Sequence, residues 1–218
     1  MKKIVPKPVA APTLVLMAGL PGVGKSTLAS RLGLDLGWVV IDRDSFKDSL
    51  LEDALLKERI AEDTAGWASY EVFFRNAHDL LVNQHQSIIL DTSTLHRFIF
   101  ERTRDLASAA GAEFKVILCE VDEKTRQHRL RTRKKRVSQV HDHLVPEEAA
   151  RQFDEFLPGH TLIIDTKDPL KKYEEKALAY IAGPDLMVSS VASTKVDAFH
   201  ESPIPRREHF KFFSTRSS

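Results

Sequence analysis

Blocks of apolar and polar positions alternate along the chain, and they predict strands that alternate with helices. Five apolar runs are too short for helices and rich in branched side chains, which is typical of buried strands. They cover residues 13–18, 37–41, 87–91, 114–121 and 161–165. Between the runs, apolar residues recur every three or four positions, as in helices that bury one face. The pattern predicts an α/β three-layer sandwich, in which helices cover both faces of a parallel sheet.

Polar residues and glycines mark the ends of the predicted helices. Asp44 or Ser45 is expected to cap the helix after the second strand, and Asp122 the basic helix after the fourth. Gly111 is suited to end a helix over residues 97–110. The other helices are expected after residue 26, over about 61–83, from 146 and over 169–182, while the basic helix reaches at least residue 133.

Four aromatic residues of the long helix over about 61–83 fall at mostly helical spacing. They are Trp67, Tyr70, Phe73 and Phe74. Packing into the core is the first expectation for such a stripe. The alternative is that these rings stack on a base or sugar of a bound molecule.

The same pattern divides the chain into three parts. Residues 1–12 form an N-terminal arm with three prolines, and residues 13–183 form one α/β domain. Residues 184–218 are rich in serine and proline, and their apolar residues show no period. Such a composition favours an extended or disordered tail.

Composition narrows the classes of partner. The chain of 218 residues has 32 Lys+Arg against 31 Asp+Glu, so only local clusters can attract nucleic acid. Its one cysteine, Cys119, lies in an apolar run, is expected to be inert, and suits a reducing compartment. No run approaches a membrane span, and the proline-containing start does not resemble a signal peptide. We therefore expect a cytoplasmic protein with no membrane partner.

Residues 19–27 contain the pattern Gly-x-x-x-x-Gly-Lys-Ser, placed between the first strand and a helix. Glycines let the loop curl so that its N–H groups point at phosphate oxygens, next to the positive end of the helix. In this pattern Lys25 reaches the β- and γ-phosphates and Ser26 binds Mg²⁺. A glycine-rich turn that only joins strand to helix is the alternative. The predicted nucleotide-binding residues are Gly19, Leu20, Pro21, Gly22, Val23, Gly24, Lys25, Ser26 and Thr27.

Acidic residues follow the second and third strands, where ligands gather in open parallel sheets. Asp44 is the candidate to orient an acceptor hydroxyl and take its proton, and Asp42 is the second choice. The alternative role of Asp44 is a helix cap. Lys47 or Arg43 is a candidate to hold an anionic part of the acceptor.

Asp91 ends the third strand in the manner of a Walker B motif, so it is a candidate Mg²⁺ ligand together with Ser26. Its alternative role is to cap a helix that begins near Leu95. The hydroxyl-bearing residues 92–94 follow and are able to contact phosphate or acceptor.

A cationic block follows the fourth strand with no acid among its members. It consists of Arg126, Arg129, Arg131, Arg133, Lys134, Lys135 and Arg136. Arg129 and Arg133 are four residues apart and share one face of a helix. We interpret the block as a basic lid that brings arginines to a transferring phosphoryl group. A solvated basic face and a contact to a nucleic-acid backbone are the alternatives.

Three motifs together resemble the P-loop kinases grouped around the kinase domain of phage polynucleotide kinase, with zeta toxins and chloramphenicol phosphotransferase, a group of AAA-type ATP-binding domains. They are residues 19–27, 41–47 and 89–93. Over roughly residues 13–182, the resemblance implies a five-stranded parallel sheet in the order 2-3-1-4-5. It implies that Asp44 is the general base and that Arg129 or Arg133 is the lid arginine. It also implies that Arg151 lies near the nucleotide.

These motifs predict a kinase that uses ATP and Mg²⁺ and transfers the γ-phosphoryl group to a hydroxyl. The acceptor is a small molecule or the 5′ end of a polynucleotide. The alternative is a protein that binds and hydrolyses ATP and grips nucleic acid through its basic lid without phosphoryl transfer. The pattern leaves the acceptor, the donor base and the oligomeric state open.

Overall fold

The computed structural model describes residues 11–53, 59–93, 96–133, 158 and 160–183. Within them, five strands form one sheet in the order β2-β3-β1-β4-β5, and every neighbouring pair is parallel. This confirms the predicted strand order. The strands are β1 (Thr13–Ala18), β2 (Val39–Asp42), β3 (Ile88–Asp91), β4 (Glu113–Glu120) and β5 (Leu162–Asp165).

Six α-helices occur in the same part of the chain. They are α1 (Lys25–Leu36), α2 (Arg43–Glu52), α3 (Glu62–His78), α4 (Arg97–Ala110), α5 (Glu123–Thr132) and α6 (Leu170–Ala182). A single π-helical turn over Asp79–Asn83 extends α3, so the predicted helix over 61–83 is present with a change of geometry near its end.

Side chains of the central strand alternate between two cores, one on each face of the sheet. Leu14 and Leu16 pack on the face covered by α3 and α4, which contribute Phe73 and Ile99 to that core. Val15 and Met17 belong to the opposite core, which contains residues of α1 and α6. The three-layer arrangement predicted from wholly apolar strands is therefore confirmed.

The aromatic stripe of α3 belongs mainly to the core. Tyr70, Phe73 and Phe74 are buried, and the Phe73 and Phe74 rings make an edge contact with centroids 5.1 Å apart. Trp67 is only half-buried and lies 5.8 Å from the Phe98 ring. Core packing, the first expectation for this stripe, is confirmed for these three buried rings.

The boundaries of β2 differ from the prediction because a cap at each end decides them, a glycine backbone at one and an aspartate side chain at the other. Gly37 ends α1 in a left-handed conformation, and its N–H donates to the Gly33 carbonyl. Strand β2 therefore begins at Val39, two residues later than expected. At the other end of this strand, helix α2 begins at Arg43, capped by Asp42. The prediction that Asp44 or Ser45 caps this helix is wrong.

The basic helix matches its predicted start and ends one residue early. The Asp122 side chain accepts from the Thr125 N–H, which confirms it as the N-cap of α5. Arg133 already has extended backbone (φ −67°, ψ 150°), so the helix ends at Thr132.

Several predictions concern parts of the chain outside the described residues. These are most of the N-terminal arm, the helix from Pro146 with Arg151, the cations at 134–136 and the tail over 184–218. Among the helices that the structure describes, none is both long and apolar enough to cross a membrane.

Candidate active site

A cleft of about 410 Å³ opens at the carboxyl ends of the strands. It brings together the glycine-rich loop, the acids that follow β2 and β3, and the end of α5. Its lining residues are Pro21, Gly22, Gly24, Lys25, Ser26, Thr27, Asp42, Asp44, Asp91, Thr92, Ser93, Arg129, Thr132 and Arg133. The predicted residues Gly19, Leu20 and Val23 instead line a second cavity, on the side of the loop that faces the end of β4.

The loop from Gly19 to Gly24 is shaped by close backbone approach. A Cβ on Gly19 would lie 2.3 Å from the Cys119 carbonyl oxygen, and one on Gly22 would lie 2.8 Å from Cγ of Leu130. Helix α1 then begins at Lys25 with no side-chain cap. Its first N–H groups and its positive end therefore remain directed at the cleft, as in a phosphate site.

Lys25 is buried at the start of α1 and hydrogen-bonds back to the loop. Its Nζ donates to the Gly19 carbonyl at 2.8 Å and to the Leu20 carbonyl at 2.9 Å. Burial lowers the pKa of Lys25, while the negative charge of Asp91 raises it. The ammonium group is thus held over the loop, where incoming phosphate oxygens would be its natural counter-ions.

Asp91 is the last residue of β3 and is only 4% exposed. Burial raises the pKa of this carboxyl to about 6, although the positive charge of Lys25 and a hydrogen bond from Ser26 both lower it. It is therefore ionised at neutral pH and becomes protonated in mild acid. The N-cap of α4 is His96, without a side-chain cap, so the alternative that Asp91 caps this helix is wrong.

The donor atoms at this position suit Mg²⁺. A carboxylate and a hydroxyl oxygen, already hydrogen-bonded to each other, are hard oxygen ligands of the kind this ion prefers. No cluster of three or more His, Cys, Asp or Glu side chains that could hold a metal occurs in the described part of the chain. An ion at Ser26 and Asp91 would therefore share its remaining coordination with phosphate oxygens and water.

The acid at the end of β2 and the acid in the first turn of α2 make different contacts. Asp42 accepts the Asp44 N–H at 2.9 Å and the Ser45 hydroxyl at 2.8 Å, so its carboxylate is occupied with the cap of α2. The Asp44 carboxylate, 26% exposed, pairs instead with Nη2 of Arg43 at 3.0 Å. Its charge raises the pKa of Lys25, although less than the charge of Asp91 does. Asp44 and Lys25 thus line the same cleft and interact electrostatically.

Arg43 holds Asp44 against helix α3. Its guanidinium lies 4.7 Å from the centre of the Tyr70 ring, and Nη1 donates to the Ser69 hydroxyl at 3.5 Å. The side chain is only 12% exposed. The other cation of this motif, Lys47, pairs with Glu62 at 3.1 Å. Both candidate anion-binding residues are therefore engaged by acids of the protein.

Two buried side-chain atoms at the ends of β2 and β3, Arg43 Nε and Ser93 Oγ, have no hydrogen-bond partner among the described residues. The Thr92 side chain, buried beside them, interacts with the Tyr70 hydroxyl. Buried polar groups in proteins are nearly always hydrogen-bonded, so their concentration at the ends of β2 and β3 is informative. Both unpartnered atoms can donate, which is suited to a bound molecule that presents oxygen acceptors.

Helix α5 is fastened to the loop by two of its arginines. Buried Arg126 donates to the Pro21 carbonyl at 3.2 Å, and two of its nitrogens contact the Glu123 carboxylate at 2.7 and 2.8 Å. Arg129 donates from Nη1 and Nη2 to the hydroxyl and the carbonyl of Thr166, both at 2.8 Å. Arg133, one turn further, lies in the cleft, and its charge lowers the pKa of Lys25 in addition to the larger effect of burial.

A family model described as an AAA domain matches residues 14–157, more than half of the chain. The chain belongs to this family. The match and the fold confirm the predicted relationship to the P-loop kinase group. No curated protein matches the sequence.

Solved structures share the fold of this AAA domain at low sequence identity. A candidate kinase from Chloroflexus aurantiacus is 19% identical with a TM-score of 0.57, and the match covers 77% of this chain and 97% of that one. Shikimate kinase from Bacteroides thetaiotaomicron is 15% identical, with a TM-score of 0.51 and coverage of 76% and 96%. Gluconokinase from Sinorhizobium meliloti is 17% identical, with a TM-score of 0.50 and coverage of 79% and 93%.

Sequence patterns did not point to two side chains that organise the site of this AAA domain. Thr166 connects α5 to the loop, yet it follows β5, where no motif extends. Tyr70 supplies the ring beneath Arg43, whereas its spacing in the sequence indicated a core position or, as the alternative, stacking on a bound molecule. Neither contact leaves a signal in the chain, because each depends on how distant elements pack.

Proposed function

We propose that the protein is an ATP-dependent kinase that transfers the γ-phosphoryl group of ATP to a hydroxyl of an acceptor. The observation that carries this proposal is that two neighbouring acids, Asp42 and Asp44, make different contacts. Both acids line the cleft, but the Asp42 carboxylate accepts two hydrogen bonds at the cap of α2, whereas the Asp44 carboxylate pairs with Arg43. A carboxylate held at the same cleft as a phosphate-binding loop supports transfer to a hydroxyl rather than binding alone.

The donor side binds the triphosphate. The loop N–H groups and the start of α1 surround the β- and γ-phosphates, and Lys25 contributes its charge. Ser26 and Asp91 hold Mg²⁺, which when bound neutralises charge on the phosphate oxygens. Arg129, on α5, and Arg133, just after the end of this helix, both line the cleft and balance the charge that spreads over the equatorial oxygens during transfer.

The acceptor side prepares the hydroxyl. Asp44 accepts a hydrogen bond from the acceptor O–H and takes its proton as the oxygen attacks the γ-phosphorus. A new bond forms between the acceptor oxygen and phosphorus, while the bond from phosphorus to the β–γ bridging oxygen breaks and ADP departs. The proton on Asp44 then returns to solvent. Arg43 orients the carboxylate through its ion pair at 3.0 Å.

Small, oxygen-rich molecules are the acceptors that we favour. Ser93, whose hydroxyl is unpartnered, and Thr92 line the cleft with Asp44, and Arg43 pairs with Asp44, so this side suits a ligand with several oxygens. Proteins named gluconokinase and shikimate kinase share the fold, which makes sugar acids and cyclic polyols the first compounds to test. The 5′ end of a polynucleotide remains the second acceptor class. The single, buried cysteine suits the cytoplasm as the place of reaction.

The test is transfer from γ-labelled ATP to a panel of sugars, sugar acids, nucleosides and short oligonucleotides. We expect Asp44→Asn to lower turnover with the best acceptor by about 10²- to 10⁴-fold, because the proton acceptor is lost. Its affinity for Mg·ATP should stay within about twofold of wild type, since Asp44 is not expected to contact phosphate.

Asp42→Asn is the matched control, because asparagine caps helices about as well as aspartate. It should fold and retain most of its turnover. Normal turnover in Asp44→Asn would contradict the assignment of the base, and lack of ATP binding by the wild type would overturn the proposed function.

The nucleic-acid alternative has less support in this geometry. Arg126 and Arg129 are engaged by Glu123, Pro21 and Thr166, so they do not face outward. Backbone binding would lose affinity steeply as salt rises, by several orders of magnitude over a few-fold change in salt when about six to ten phosphates are contacted.

A further inference from the structure

Thr166 follows β5 directly and is 1% exposed. Its N–H donates to the Glu120 carbonyl at 2.9 Å, which ties it to the end of β4. Its hydroxyl lies 2.6 Å from the Val23 carbonyl oxygen, inside the glycine-rich loop. One buried side chain therefore connects the edge of the sheet to the loop, although 143 residues separate the two.

Arg129 approaches the same residue from α5. Nη1 donates to the Thr166 hydroxyl at 2.8 Å, and Nη2 donates to the Thr166 carbonyl at 2.8 Å. The contact is bidentate, because the planar guanidinium donates to two oxygens of one residue. Because the donor is ionised, these hydrogen bonds are stronger than neutral ones.

The direction of the hydrogen bonds follows from the chemistry of the groups. A guanidinium can only donate, so the Thr166 oxygen must accept from Arg129. The single hydroxyl proton is then available for the Val23 carbonyl at 2.6 Å, with the Glu120 carbonyl more distant at 3.2 Å. The result is an ordered chain from Arg129 through Thr166 to Val23, in which each bond polarises the next.

This chain determines the orientation of one peptide unit of the loop. In a planar trans peptide the C=O and the following N–H point in opposite directions. Because the Val23 carbonyl is held toward Thr166, the Gly24 N–H points the other way. Gly24 lines the cleft and has a left-handed φ of 95°. Rotation of this peptide would remove one N–H donor from the phosphates.

We propose that Thr166 is a positioning residue for nucleotide binding, whose hydroxyl orients the Val23–Gly24 peptide and holds Arg129 at the loop. The inference rests on the proposed function only in that the loop binds a nucleoside triphosphate. It assigns a role to a residue outside all three sequence motifs and explains why Arg129 points toward the end of β5.

The contacts that hold the surrounding elements do not depend on this hydroxyl. Arg126 contacts the Pro21 carbonyl, and Leu130 packs at Gly22, so α5 keeps two other contacts with the loop. The backbone bond from Thr166 to Glu120 also remains when the side chain is changed. Loss of the hydroxyl should therefore alter the loop while the fold persists.

The test compares Thr166→Val and Thr166→Ala with Thr166→Ser. We expect the first two to raise the Kd for Mg·AMPPNP about tenfold or more, because a hydrogen bond to a charged group is lost. Thr166→Ser keeps the hydroxyl and should stay within about threefold of wild type. Isothermal titration calorimetry gives the Kd, and urea denaturation gives the stability of each variant.

Thr103→Val is the matched control. Thr103 is also fully buried, and its hydroxyl donates to the Ile99 carbonyl at 2.6 Å within α4. The Thr103→Val substitution removes a hydroxyl-to-carbonyl hydrogen bond that lies away from the loop. It should therefore change the urea midpoint and leave the Kd for Mg·AMPPNP unaltered. If either Thr166→Val or Thr166→Ala folds and binds Mg·AMPPNP as tightly as wild type, the inference is overturned.

A double-mutant cycle with Arg129→Met separates positioning from general destabilisation. Since Thr166 and Arg129 act through one chain, their effects on the Kd should be clearly less than additive. Additive effects would show that the two residues act independently and would contradict the inference. Failure of the wild type to bind Mg·AMPPNP would instead overturn the proposed function, so the two failures are distinguishable.

Discussion

The two sides of the cleft differ in how their polar groups are satisfied. On the donor side, Lys25, Arg126 and Arg129 all donate to backbone carbonyls of the loops around them. On the acceptor side lie two buried atoms, Arg43 Nε and Ser93 Oγ, that have no hydrogen-bond partner in the described part of the chain. The donor side is therefore organised before any ligand arrives, whereas the acceptor side is suited to be completed by one.

This difference has a physical origin. The donor side uses backbone N–H and C=O groups, which every residue supplies once glycines allow the loop to curl. The acceptor side uses side chains from α2, α3 and the end of β3, whose chemistry changes with each substitution. A common donor can thus be combined with many acceptors on one fold.

Loss of Lys25 should have a large effect, because it removes a buried cation that donates to the Gly19 and Leu20 carbonyls of the loop. We expect Lys25→Met to lower phosphoryl transfer by about 10²- to 10³-fold, the usual cost of losing one preorganised donor to the reacting group. Lys172→Met is the control, since Lys172 is exposed on α6 and pairs with Asp168 at 3.0 Å. Turnover of Lys25→Met close to that of the control would show that the donor side is misassigned.

Arg43→Gln should affect the acceptor side alone. It removes the ion pair with Asp44, so we expect turnover to fall about tenfold to a hundredfold while Mg·ATP affinity stays unchanged. Arg102→Gln is closely matched, because Arg102 pairs with Glu71 at 2.8 Å and lies 4.3 Å from the Phe74 ring, away from the cleft. Equal losses of turnover in both variants would mean that Arg43 acts through stability only.

Replacing glycine by alanine should have opposite effects on stability at two positions, Gly22 and Gly66. Gly22→Ala would place a Cβ 2.8 Å from Leu130 at a φ of 87°, so we expect a loss of about 1–3 kcal/mol and weaker nucleotide binding. Gly66 lies within α3 with no atom within 4 Å of its added Cβ. Gly66→Ala should therefore stabilise the protein by about 0.5–1 kcal/mol. Urea denaturation measures both, and a neutral Gly22→Ala would contradict the close packing of α5 on the loop.

Acid should weaken the cap of α5. Hydrogen bonds from Thr125 and the nearby Lys167 lower the pKa of Asp122 to about 2. Because the pKa of Asp122 is lower in the folded state than its unfolded value near 3.8, the ionised carboxylate stabilises the folded state at pH values above 3.8. This contribution is lost as the pH falls toward about 2.

Asp122→Asn keeps capping ability but lacks the charge. Its urea midpoint should therefore lie below that of wild type at pH 7, and the difference should shrink as the solution is acidified. A difference that stays constant across this range would show that ionisation of Asp122 does not contribute.

Removal of the positive charges of the exposed side chains Lys124 and Arg131 on α5 should have the smallest effect on stability and turnover. Lys124 and Arg131 are exposed, so changing both to glutamine should leave stability within about 0.5 kcal/mol and turnover unaltered. A large loss of oligonucleotide affinity, greatest at low salt, would instead favour the nucleic-acid alternative.

Sequence alone determined the fold class and predicted which residues of the glycine-rich loop line the cleft. Five wholly apolar runs between amphipathic helices are compatible with few arrangements other than a covered parallel sheet. The strand order came from the family resemblance and is confirmed. The loop motif predicted Lys25 and Ser26 as site residues, because glycine spacing records backbone curvature directly, and both line the cleft.

Only the tertiary structure decided the rest. Asp42 and Asp44 are indistinguishable as caps in the sequence, and the choice depends on where β2 stops and which carboxylate can turn back to the helix N–H groups. The contacts of Arg43 with Tyr70 and of Arg129 with Thr166 join elements far apart in the chain. Local patterns record backbone propensity and burial, whereas such contacts arise from the packing of whole helices and leave no trace in the residues nearby.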